Sequence, residues 1–81
     1  MILHIAEAKY LYDYLIWVRL NNGAEGIVDL KNELYGEVFE PLKNIEIFKS
    51  FVLDPSLGTI VWKNGADFAP EFIYENIKIP A

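Results

Sequence analysis

The chain contains no cysteine and a single histidine, His4, among its 81 residues. Without thiols there is no disulfide staple, no thiolate nucleophile and no thiolate metal site. One histidine leaves only carboxylates as further metal ligands, and the acids follow no calcium-loop spacing. No run reaches the roughly 18 consecutive apolar residues of a membrane span. The opening Met1-Ile2-Leu3-His4-Ile5-Ala6-Glu7 lacks the basic stretch of a signal peptide. A cytoplasmic domain, neither in nor on a membrane, is the expectation. Basic residues are scarce as well: seven Lys and Arg face twelve Asp and Glu, for a net charge of −5. That balance repels phosphate backbones and anionic lipid, and suits a basic partner or simple solubility. Five tyrosines and two tryptophans could stack bases, but no basic stripe accompanies them, so direct nucleic-acid binding is not expected.

Hydrophobic residues, by contrast, are plentiful. They make up 53% of the chain, and aromatics 15%, far from the profile of a disordered segment. The length allows one domain, residues 1–81, which buries only about 60–65% of the surface its unfolded form exposes. No linker, internal repeat or low-complexity segment interrupts it.

The first third reads as strands. Ile2 to Tyr10 mixes apolar and polar residues as a first strand. From Tyr12 to Leu20 the even positions Tyr14, Ile16, Val18 and Leu20 form one apolar face, with Asp13 and Arg19 on the other. Asn21-Asn22-Gly23 then signals a turn before Gly26-Ile27-Val28-Asp29-Leu30. A two-residue Asn22-Gly23 loop would set Ile16 against Asp29 and Leu20 against Glu25. A three-residue loop with Gly23 as a left-handed bulge pairs Ile16 with Val28 and Tyr14 with Leu30. It also sets Arg19 against Glu25 and Asp13 against Lys31, two opposite-charge pairs. The bulged hairpin is therefore expected, since a one-residue slip would turn every side chain over.

Glu33 to Phe39 reads as a loop. Leu42, Ile45 and Phe48 recur every three residues within Pro41–Phe48, as in a short helix, with Asn44 as a possible cap. Phe51-Val52-Leu53 and Thr59-Ile60-Val61-Trp62 read as strands joined by Asp54-Pro55-Ser56-Leu57-Gly58, where Asp54 can bond back to the backbone. Asn64-Gly65-Ala66-Asp67 is a further turn. Pro70–Ile77 follows as a short helix with proline and an acid in its first turn. The order is β-β-β-α-β-β-α, an α+β domain with a small antiparallel sheet of hairpins and helices packed on it.

Catalytic chemistry finds little support. His4 lies on the first strand with no evident partner, and a structural or exposed role fits it better. Asp54, Asp67 and Glu71 each sit where a turn or a helix start already favours an acid. Gly58 and Gly65 belong to turns and make no phosphate loop, and Ser50 and Ser56 lack the context of a nucleophile elbow. No enzyme, cofactor or metal site is expected. Two surfaces are candidates for binding. Leu15, Trp17 and Ile27 fall on the outer face of the hairpin, either covered by another element or exposed as an interaction patch. Trp62, Asn64 and Asp67 are an alternative, as a small-ligand pocket, although Trp62 also suits a core anchor whose indole N–H finds a partner.

Several of these residues together resemble a bacterial family of domains of unknown function, family 2442. They are Asn22-Gly23, Val28-Asp29-Leu30, Pro41-Leu42, Phe48, Gly58-Thr59-Ile60-Val61-Trp62, Asn64-Gly65-Ala66-Asp67, Pro70-Glu71 and Tyr74. The resemblance covers nearly the whole chain and is most specific from Thr59 through Glu71; Lys63 stands where many relatives have proline. It implies a small α+β fold and no assigned activity. Some relatives are fused to a helix-turn-helix domain, which this sequence does not show, and some are encoded beside another small protein in toxin–antitoxin-like pairs. The expectation for function is thus a non-enzymatic module that binds a partner protein or itself, with the acidic half of a two-protein system as one form the resemblance implies. The alternative is a small-ligand-sensing regulatory domain.

Overall fold

Alternation of apolar and polar side chains organises the first thirty residues into three antiparallel strands. In a computed structural model, which describes residues 2–79, these are β1 (Ile5–Tyr12), β2 (Leu15–Leu20) and β3 (Glu25–Asp29). Two 3-10 turns follow, Lys31–Glu33 and Glu40–Lys43, and then α1 (Ile45–Phe48). A second hairpin joins β4 (Val52–Asp54) to β5 (Thr59–Val61). The chain continues through α2 (Pro70–Glu75) into β6 (Ile77–Ile79). The main sheet has the order β1-β2-β3-β6, and β4-β5 form a separate two-stranded sheet.

The β2–β3 hairpin takes the bulged register. Ile16 lies opposite Val28 and Arg19 opposite Glu25. Leu20 N–H donates to Ala24 O at 2.8 Å, closing a loop in which Gly23 has φ +89, a conformation that costs glycine little. Leu30 N–H donates to Tyr14 O, extending the match.

Four details depart from the sequence reading. First, β1 begins at Ile5 and not Ile2, because Asn21 captures the preceding residues: its carboxamide accepts from His4 N–H and donates to Ile2 O. A turn at Asp13-Tyr14, with Asp13 at φ +48, ends β1 and delays β2 to Leu15. Second, α2 stops at Glu75, and Ile77–Ile79 pairs with β3 as a further strand. Third, the hairpins form two sheets and not one. Fourth, the Arg19 guanidinium reaches Glu7 on β1 and not Glu25, and no ion pair joins Asp13 to Lys31 among the described residues.

Other local signals act as their chemistry dictates. Asn44 caps α1, its carboxamide oxygen accepting from Glu46 N–H at 2.9 Å. Asp54 accepts from Ser56 and Leu57 N–H groups in the β4–β5 turn.

The core lies between the inner face of the main sheet (Ile16, Val18, Leu20, Val28) and Leu42, Phe48, Ile60, Trp62 and Ile73, all buried. A chain of aromatic contacts runs through it. Tyr10 and Tyr14 meet Phe48 edge-on, Phe48 meets Trp62, Trp62 meets Phe51 and Phe68, and Phe68 meets Phe39 and Phe72. Such pairs contribute about 0.5–1.5 kcal/mol each beyond area burial. They offset the thin core of a small domain. The Trp62 indole N–H donates to Phe48 O at 2.8 Å.

Candidate functional site

Strand alternation sends the neighbours of the core residues to the opposite side of the main sheet. Leu15, Trp17 and Ile27 sit there, flanked along the strands by the fully buried Ile16, Val18 and Val28. All three are half-buried, and none belongs to the core or packs against it. Trp17 lies between Lys9 of β1 and Ile27 of β3, with the backbone of Ile79 beyond Ile27 on β6.

Part of the cover over Trp17 comes from Lys9, whose ammonium stands 5.7 Å from the ring centroid. A cation over an indole face is held by the ring quadrupole. The Lys9 Nζ is also 3.8 Å from Glu7, which in turn accepts a hydrogen bond from Arg19 at 2.9 Å. The Arg19 guanidinium holds the Glu7 carboxyl below the usual carboxylate value against the opposing effect of desolvation, with Lys9 adding to the lowering. Because Arg19 turns to Glu7, Glu25 has no ion-pair partner among the described residues. The face therefore presents a half-buried apolar row with Lys9 at one end and an uncompensated acid on β3. Sequence reading located the row but missed Glu7 and Lys9, because only the β1–β2 register brings them to it.

On the other side of the molecule a cleft of about 380 Å³ opens beside Trp62. Pro41, Glu46, Ile47, Ser50, Lys63 and Asn64 complete its walls. Asp67 does not line it; that residue bridges Val61 as a strand-like pair. Most polar groups at the cleft are already committed. Trp62 Nε1 donates to Phe48 O, Asn64 Nδ2 to Val38 O at 2.8 Å, and Ser50 Oγ to Ile47 O at 2.6 Å. Asn64 Oδ1 accepts from Ala66 N–H. A ligand there would meet chiefly apolar walls, with Lys63 and Glu46 as charged neighbours.

A second cleft, about 470 Å³, lies where the two sheets meet, lined by His4, Ile5, Ala6, Asn21, Leu53, Pro55 and Gly58. The His4 ring packs against Gly58: a Cβ placed on that glycine would come within 2.6 Å of it. Gly58 also has φ +70 and accepts from Ile5 N–H at 2.8 Å. His4 thus serves as packing across the seam. The acids do not gather: among the described residues no group of three or more His, Asp or Glu could hold a metal ion.

The family described as Protein of unknown function (DUF2442) matches residues 5–78. The chain belongs to that family. The match runs from the start of β1 into β6 and so takes in both sheets and both helices of this chain. No curated protein and no solved structure matches the chain. Among the described residues, no helix is long and apolar enough to cross a membrane.

Proposed function

We propose that this DUF2442 chain is a non-enzymatic protein-interaction module that presents the outer face of its main sheet to a basic partner protein. The observation that carries this reading is the row Leu15–Trp17–Ile27, half-buried yet outside the core, beside a Glu25 with no ion-pair partner among the described residues. Apolar anchors centred on a tryptophan and rimmed by charge have the composition of a binding hot spot. The net charge of −5 favours a cationic partner through long-range attraction. A place as the acidic member of a toxin–antitoxin-like pair, in the cytoplasm, is what the resemblance to the family implies, and the net charge of −5 and absence of cysteine are compatible with it.

A small-ligand role would use the cleft beside Trp62 and Asn64. It is the weaker reading, since the polar groups of Trp62, Asn64 and Ser50 there are spent on the protein's own backbone.

The test is affinity capture from the native host with the wild-type chain, followed by calorimetry with the purified partner. Trp17→Ala should weaken that complex by about thirtyfold or more, the loss of one hot-spot residue. Equal affinity of the two proteins, or no specific partner for the wild type, would overturn the reading.

A further inference from the structure

β1 is an edge strand, and at eight residues it is the longest in the fold. Its ladder runs only to β2. On its outer side Ile5 N–H is tied to Gly58 O, and from Ala6 onward no backbone partner occupies the edge among the described residues. A free edge is a template for another strand unless something selects against it. Irregularities between Ile5 and Glu7 and between Tyr10 and Tyr12 protect the two ends. Between them Glu7–Tyr10 keeps a regular ladder, with Glu7 and Lys9 two residues apart on one face.

We propose that this edge pairs antiparallel with β1 of a second copy, about a two-fold axis at Ala8, making one continuous sheet. The occupant follows from charge. In that register Glu7 of each copy lies opposite Lys9 of the other, giving two opposite-charge cross-strand pairs. Centring the axis on Lys9 would set the two lysines face to face, and centring it on Glu7 the two carboxylates. Parallel pairing in register would stack like on like along the strand. The exposed lysine that turns away most strands is therefore matched by this strand in a single register. The contact is isologous, so it closes as a dimer and does not propagate. It uses the sheet's edge and not its outer face, and it stands whether or not the interaction reading holds.

Sedimentation equilibrium from about 10 to 500 µM in physiological salt tests it. The wild type should move from 9.3 kDa toward twice that mass. Lys9→Glu, a change at an exposed side chain, converts both attractive pairs to repulsive ones and should weaken association by on the order of tenfold or more. The Glu7→Lys/Lys9→Glu exchange keeps opposite charges across the axis and should restore it, while Ile27→Ala, on the outer face two strands from the edge, should leave it unchanged. A wild type that stays monomeric throughout would sink the proposal. So would a Lys9→Glu protein that associates like the wild type, or a dimer lost on Ile27→Ala.

Discussion

Replacing Trp62 with phenylalanine isolates the contribution of one buried hydrogen bond and half an aromatic side chain. Trp62 is 4% exposed and touches Phe48, Phe51 and Phe68. Its Nε1 donates to the carbonyl of Phe48, the last residue of α1. Carbonyls at a helix end have no partner within the helix, and Trp62→Phe leaves this one buried without its donor. An unsatisfied buried group costs about 1–3 kcal/mol, and the volume lost adds roughly 1–2 kcal/mol of transfer and cavity cost. The expected destabilisation is about 2–4 kcal/mol, a large share of the ~4–12 kcal/mol typical of an 81-residue domain. Urea unfolding followed by far-UV circular dichroism should show a lower midpoint at unchanged slope. The melting temperature should fall by about 10–25 °C. Trp17→Phe is the control, because Trp17 lies outside the core and should change stability by less than about 1 kcal/mol. A loss below about 1 kcal/mol for Trp62→Phe, or an equal loss for both variants, would refute the reasoning.

Two further outcomes follow from local geometry. Gly58→Ala should destabilise through the left-handed φ, about 1–2 kcal/mol, and through its collision with the His4 ring. In a His4→Ala background the second part should disappear, so a double-mutant cycle by thermal melting should show a non-zero coupling; additive effects would mean the ring moves aside freely. Glu7 should titrate below an ordinary glutamate in an NMR pH series, and Arg19→Gln should move it back up. Because its folded value is the lower one, Glu7 favours the folded state above the unfolded carboxyl value and ceases to do so as pH falls through the folded value. A midpoint that ignores Arg19→Gln would contradict the assigned cause.

The elements written in local signals were readable from sequence. Asn21-Asn22-Gly23 and the polarity of the flanking residues determine the β2–β3 register, because every alternative turns charged side chains inward. Asn44 and Asp54 announce their turns through short-range hydrogen bonds. What failed was long-range. Ile77-Lys78-Ile79 is too short to read as a strand, and its partner, β3, lies fifty residues earlier in the chain, roughly. Arg19 had two acids within reach, and choosing between Glu7 and Glu25 required the alignment of β1, which has no hairpin signal as strong as Asn-Gly. For the candidate site, the row Leu15–Trp17–Ile27 was visible in the alternation, whereas its Lys9 lid was not. Asp67 looked like a neighbour of Trp62 and Asn64 in sequence, but the turn at Gly65, with φ +92, sends it to pair with Val61 away from the cleft.

The main sheet separates the two indoles of the chain. One is sealed among Phe48, Phe51 and Phe68, and the other stands half in solvent beneath an ammonium group. Each therefore reports a different event. Emission from Trp62 should be blue-shifted and change only when the fold opens. Emission from Trp17 should be quenchable by a dissolved collider and respond when something seats on the sheet. With one tryptophan replaced by phenylalanine at a time, this small protein carries its own unlabelled optical assay for unfolding and for docking, read at separate sites.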